Sequence, residues 1–185
     1  MANNNTAYVT AGKPKVGGAV FRAPVGTTLP TDATTALNAA FVNLGFVSED
    51  GVTNESSPES STVKEWGGSV VLTTWNGRTD TFKMKLLEAL NPEVLKTVFG
   101  ASNVTETSGA LAVSVGPENA EEYSYVIETV LKGGRLCRLV IPRGTVSEVG
   151  ERTFVSSDAI AYDLTLTANE DGNGCTHKEY ISAAA

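Results

Sequence analysis

Histidine is nearly absent from this chain, and most histidine-dependent chemistry goes with it. His177 is the only one in 185 residues. A zinc centre normally takes four ligands, and a thiol nucleophile needs an opposed base and an orienting group. Cys175 and His177 are spaced i, i+2, which puts both side chains on one face of a strand. No further ligand lies near them in sequence, so they read as an ordinary strand pair. Cysteine is equally sparse: Cys137 and Cys175 share no short motif and are expected to be two reduced thiols. Aromatic residues make up only 7 % and form no cluster. Trp66 and Trp75 therefore read as core or interface residues rather than a sugar platform. No apolar run approaches the ~20 residues of a helical membrane span. Basic residues are outnumbered 14 to 21, a net charge of −7 that disfavours tight binding to phosphate backbones or anionic membranes. The first eight residues, M-A-N-N-N-T-A-Y, have no charged or apolar signal region, so synthesis in a cytoplasm is expected.

The remaining chemical motifs fail one by one. Asn169-x-Asp171-x-Asn173-Gly174 resembles the start of a calcium loop, but Tyr180 stands where a bidentate Glu belongs, and the flanks read as strands. A turn explains it better. Residues 12–18 are glycine-rich and basic but lack the phosphate-loop spacing. Glu49-Asp50 and Glu121-Glu122 are adjacent pairs whose side chains point apart on a strand. No catalytic, cofactor-binding or metal residue is assigned, and no cofactor is expected.

What the chain has is glycine (18 residues), 41 % hydrophobic content and many Thr and Val residues, a balance that favours strands within one domain. Residues 1–16 read as an arm. Residues 17–24 are extended and stop at Pro24. Pro30-Thr31-Asp32 opens a short helical stretch through Ala40, and Phe41, Val42, Leu44, Phe46 and Val47 form a strand broken near Gly45. Residues 49–61 form a polar stretch with Val52 as its only apolar member, long enough to suggest a functional loop. Residues 66–76 read as a strand, Asn76-Gly77 as a type I′ hairpin turn, and Arg78 as the start of the partner strand. Leu86, Leu87 and Leu90 have helical spacing. The clearest helix spans 91–100, with Asn91 as N-cap, Pro92 at its first position and Gly100 past its end. Residues 111–115 alternate and stop at Gly116-Pro117. A hairpin follows over 123–132 and 135–141 around Gly133-Gly134, then a short strand at 145–149. A last hairpin joins 159–168 to 175–181. The expected fold is mainly β: two packed antiparallel sheets, as a sandwich or partly open barrel, with one flanking α-helix, a long loop and extended terminal arms.

Several segments, in this order and spacing, carry a resemblance. They are Gly17-Gly18-Ala19-Val20-Phe21-Arg22-Ala23-Pro24-Val25-Gly26-Thr27, Leu29-Pro30-Thr31-Asp32-Ala33, Phe46-Val47-Ser48-Glu49-Asp50-Gly51-Val52 and Trp66-Gly67-Gly68. Thr79-Asp80-Thr81-Phe82, Asn91-Pro92-Glu93-Val94-Leu95-Lys96 and the ending from Asp171 to Ile181 complete the set. The chain resembles the major tail tube proteins of long-tailed, non-contractile bacteriophages. The resemblance implies a β-fold shared with contractile-tail and type VI inner tubes. It also implies hexameric rings stacking into a hollow tube that DNA traverses without specific binding. The implied partners are other copies of the chain, a tape measure protein in the lumen, and tail terminator and tip proteins; the implied location is the virion tail. Residues 1–16, the loop 49–66 and the tail 180–185 would meet neighbouring rings. Phe21, Leu29, Phe46, Val47, Glu49, Asp50, Val52 and Trp66 become the candidate inter-subunit contacts.

Other readings predict different behaviour. A tail terminator, head–tail connector or capsid decoration protein of the same β-fold would bind a defined site and stop. A carbohydrate-binding or adhesin-like β-sandwich would expose clustered aromatics.

Overall fold

Two strands in the second half of the chain, β8 (Glu122–Leu131) and β9 (Leu136–Val149), pair antiparallel around a turn at Lys132–Gly134, where Gly133 and Gly134 both take positive φ. The computed structural model describes residues 4–116 and 121–183. Before this hairpin the chain forms β1 (Gly12–Pro14), β2 (Val20–Pro24), β3 (Val42–Asn43), β4 (Val47–Lys64), β5 (Val70–Leu86), α1 (Pro92–Phe99), β6 (Val104–Thr107) and β7 (Ala110–Val113). After it come β10 (Tyr162–Asn169) and β11 (Lys178–Ile181). The large sheet runs β3-β2-β8-β9-β10-β5-β4, with β1 added to β8 and β11 to β9. Both hairpin strands divide their outer edges. β8 pairs β1 near its end and β2 nearer its start, while β9 pairs β11 over Cys137–Val140 and β10 over Arg143–Val149. A second, two-stranded sheet is made by β6 and β7. The protein is thus mainly β, as the sequence predicts, with two antiparallel sheets and one α-helix among the described residues.

Alternation along the strands separates two apolar layers. On one face Phe82, Met84 and Leu86 of β5, Leu164 and Leu166 of β10, and Tyr125 and Ile127 of β8 are buried against Val94, Leu95 and Val98 of α1. Val104 and Leu111 bring the small sheet onto the same layer. The helix forms as its sequence dictates: Asn91 accepts the Glu93 N–H, Pro92 opens the first turn, and Lys96 reaches back to Glu93 at 2.7 Å. On the other face Val126 and Val140 pack with Ala23 and Phe41, half-buried Phe21, Leu29, Leu37 and Tyr180 closing the layer.

That second face also holds a buried ion pair. Arg138 and Glu128 are direct cross-strand partners on β9 and β8, only 1 % and 5 % exposed. The guanidinium binds the carboxylate and, through Nη1, the carbonyls of Asp32 (2.7 Å) and Thr35 (2.9 Å). Lys15 takes the second Glu128 oxygen at 2.8 Å, tying the segment after β1 to the sheet. Asp32 shapes the loop from within, accepting the N–H groups of Thr34 and Thr35. Those bonds, with the two hydroxyls, hold its carboxyl well below the usual carboxylate range.

Several elements differ from expectation, each for a physical reason. The polar stretch 49–61 is no loop: it lies within β4, an 18-residue strand. Asn76-Gly77 sits inside β5, where the pairing register shifts between Glu59 and Ser60; the positive φ of Gly77 serves a bulge rather than a turn. The reversal lies at Glu65–Gly68, with Gly68 N–H bonded to the Glu65 carbonyl at 2.9 Å. Residues 30–40 form no helix: Asp32 makes N-cap-like bonds, but Arg138 occupies the Asp32 and Thr35 carbonyls that a helix would use. Leu87 and Leu90 lie in a turn whose N–H groups bond Phe46 and Glu88, ahead of the Pro92 start. The segment 145–149 continues β9. β10 and β11 are not paired with each other; each joins β9. The arm 1–16 carries β1, and the tail 180–185 begins within β11, while residues 1–3, 184–185 and the stop at Pro117 lie outside the described residues.

Arg138→Ala leaves Glu128 buried with one cation fewer and should destabilise the fold by about 3–5 kcal/mol. Replacing the pair together, Arg138→Met with Glu128→Leu, should recover much of that loss. Urea denaturation of the three proteins measures both; equal losses would show that the charges are not what holds this layer.

Candidate functional site: a projecting two-stranded arm

β4 and β5 pair along nearly their whole length, yet only the base of the hairpin belongs to the body. Val52 opposite Met84, and Asn54 opposite Phe82, lie at the edge of the core. From Thr53 to Thr79 every residue is exposed, on both faces of the ribbon. A two-stranded ribbon wet on both sides is marginal in water, since neither face buries apolar area. Yet the arm carries apolar side chains. Val63, Val70, Val71, Leu72 and Trp75 are at least half exposed, and Trp66 at the tip is fully so. Such a collection suits a second protein surface better than water.

The root of the arm is fixed by one carboxylate. Asp80 is fully buried and is the last buried residue of β5 before the strand leaves the body. The Thr176 hydroxyl donates to its Oδ2, His177 Nδ1 lies 3.5 Å from the same oxygen, and Arg78 Nε donates to Oδ1 at 3.1 Å. Arg78 also donates to Ser56 across the ribbon at 2.7 Å. The His177 ring stands edge-on to Phe82 at 5.3 Å. Burial alone would raise the Asp80 pKa, but hydrogen bonds from Ser56, Thr176 and Arg78 outweigh it and the net shift is downward. Cys175 and His177 thus belong to a segment that clamps the arm. Among the described residues no group of three or more His, Cys, Asp and Glu side chains could hold a metal.

The predicted contact residues fall into three places. Phe21 and Leu29 are half-buried in the subunit's own second layer. Val52 is half-buried and packs against the main core with Val47. Phe46 (74 % exposed), Glu49 and Asp50 are open to solvent where β4 begins, and Trp66 stands at its far end. Sequence reasoning read Trp75 as a core or interface residue but named no contact among Val70, Val71 and Leu72, having read residues 66–76 only as a strand. Their signal was present: Val70, Val71 and Leu72 are consecutive, so apolar side chains lie on both faces of the strand, while the partner strand offers only Val63, opposite Leu72.

The opposite face of the base is polar and uncovered. Lys83 and Lys85 of β5, Asp163, Thr165 and Thr167 of β10, and Arg143, Thr145 and Glu148 of β9 point away from the core. Lys83 lies 3.5 Å from Glu55, and Arg143 lies 2.8 Å from Glu122. The face is close to neutral, with its charges interspersed among threonines.

A family model described as phage tail tube protein matches residues 1–185. No curated protein matches the chain.

The Asp80 cluster gives a pH dependence with a defined sign. A carboxyl whose folded pKa is lowered stabilises fully above its unfolded value and loses that contribution as pH falls through the folded one. Acid unfolding followed by far-ultraviolet circular dichroism should therefore show a stability loss below about pH 4. Asp80→Asn should be less stable at neutral pH and should lack this part of the acid limb; an unchanged limb would remove Asp80 from the account.

Proposed function

We propose, from the premise that this chain belongs to the phage tail tube protein family, that its subunits form hexameric rings that stack into the hollow tube of a long, non-contractile tail. Family membership makes the chain a structural component of the virion tail. The finer reading of ring, stack and lumen rests on one observation above all: an arm with no core of its own, apolar at its far end. In a polymer that arm lies against a neighbour, and its exposed side chains become interface. The outer edge of β4, the last strand of the large sheet, offers backbone groups for edge-to-edge pairing around a ring. The terminal segments 1–16 and 180–185 and the stretch 49–66 then meet adjacent rings, and Phe46, Glu49, Asp50 and Trp66 are the candidate contacts that remain exposed in the single subunit.

The lumen reading uses the uncovered polar face. A surface of threonines with paired charges of both signs gives a DNA backbone little to hold, and the chain's net charge of −7 opposes condensation on it. DNA passes without a binding site, the tape measure protein occupies the lumen before ejection, and terminator and tip proteins cap the ends.

Electron microscopy of the concentrated purified chain tests the proposal directly. Rings or hollow tubes of uniform width are expected; particles that stop at a single ring would favour a terminator, and a monomer at every concentration would refute assembly. Excising residues 59–77 and joining Pro58 to Arg78, which face each other across the ribbon and leave the Asp80 cluster whole, through a two-residue Asn-Gly turn should leave the melting transition in place and abolish tubes. Tubes from the shortened chain would separate the arm from assembly.

A further inference from the structure

We propose that the arm's tip and a pocket at its base form a knob and socket between copies: Trp66 of one subunit seats against Phe46 of another. This inference rests on the tube reading above and specifies which surface receives the arm.

The socket lies where the segment after β1 passes the start of β4. It is a cavity of about 570 Å³ walled by Val16, Phe46 and Val47. Its floor is backbone. At Gly45 (φ 79°) a Cβ would lie 2.1–2.4 Å from the Glu88 carboxylate, and at Gly18 it would strike the Asn43 amide at 2.4 Å. Bare glycines thus keep the floor open and bring the Glu88 carboxylate to the wall. Two of the socket's apolar side chains are unburied by their own chain: Phe46 is 74 % exposed and Val16 98 %. An indole suits such a site, being a large flat apolar body with one N–H that needs an acceptor when buried. Glu88 supplies the acceptor. Its two oxygens take one hydrogen bond each, from the Phe46 N–H at 3.2 Å and the Asn91 amide at 2.9 Å, and each oxygen can accept another.

The occupant is a second copy because a chain cannot fill its own socket. β4 starts at the socket with Val47 and ends at Lys64, beside the knob. Eighteen residues of strand at about 3.3 Å each hold the two ends on the order of 60 Å apart. Charge favours the same pairing: Lys64 adjoins Trp66, while Glu88 lines the socket, Glu49 and Asp50 lead β4 away from it, and the socket's one cation, Lys15, is already paired with Glu128 at 2.8 Å. The Glu65 carboxylate folds back over the turn, where a Cβ on Gly67 would meet it at 2.6 Å. A knob and a socket on different surfaces of one molecule make a heterologous contact, which propagates as a ring or filament instead of closing as a dimer.

Paired cysteines test the contact. On a Cys175→Ser background, with Cys137 buried, chains carrying Glu65→Cys, beside an intact Trp66, and chains carrying Val16→Cys are mixed, assembled and oxidised. The disulfide between them should form at least about tenfold faster than one between Glu65→Cys and a control Val155→Cys, as expected when contact raises the effective concentration. Trp66→Ala and Phe46→Ala should melt as the unaltered chain does and should fail to assemble. Tubes that form with no preference over the control would overturn the socket and leave the tube reading standing. An unaltered chain that forms neither rings nor tubes would overturn that reading first, and the socket with it.

Discussion

The buried pairing of Arg138 with Glu128 is the constraint on which the rest of the subunit depends. A charge removed from water must be met by charge and hydrogen bonds from every side, or its desolvation costs several kcal/mol. Here the partners come from separate parts of the chain. Glu128 answers across the central hairpin, Lys15 arrives from the N-terminal segment, and the loop over the second face offers two carbonyls. None of these can move without leaving a charge exposed to an apolar layer. An apolar pair would hold the layer as well in energy, but would not dictate where loop and arm must lie. The specificity of the second layer, rather than its strength, comes from these charges.

The same logic recurs at smaller scale where β4 and β5 leave the body. Beyond Asp80 there is no core to set the ribbon's direction, so direction must be set at the root. One fully buried carboxylate, gripped from the arm by Arg78 and from the body by Thr176 and His177, does this. A soft joint would let the arm sample many directions and pay for each contact in lost freedom on assembly; a fixed one removes much of that cost beforehand. The single histidine of the chain is thus accounted for without any catalytic role.

How much of this could be read from the sequence depends on where solvent lies. β10 was legible because one face is buried: Tyr162, Leu164 and Leu166 alternate with Asp163, Thr165 and Thr167. The helix was legible because its signals are local, Asn91 and Pro92 at one end and Gly100 at the other. β4 was not, because water on both faces erases the alternation that marks a strand, and Ser56-Ser57-Pro58-Glu59-Ser60-Ser61 then looks like a loop. Asn76-Gly77 misled for a related reason: positive φ at Gly77 is shared by turns and bulges, and only the partner strand decides between them. The cross-sheet pairing of Arg138 with residues 32–35 left no trace in local pattern, being set by a sequence separation of about a hundred residues. The candidate contacts came from the resemblance rather than from local pattern; of them Trp66 and Phe46 are exposed in the subunit, whereas Phe21 and Leu29 are half-buried in its own second layer.

The irregular edge of β4 bears on the time before assembly. A long strand with one side unpaired is the commonest seed of uncontrolled stacking between identical chains. This one is poorly suited to that. Pro58 deletes a donor midway, acidic Glu49, Asp50, Glu55 and Glu59 stud its length, and its register with β5 shifts at three places. Flat, in-register stacking would align like charges from copy to copy and would require the twist at each shift to be undone. The edge that offers itself for pairing is thus shaped against pairing indiscriminately.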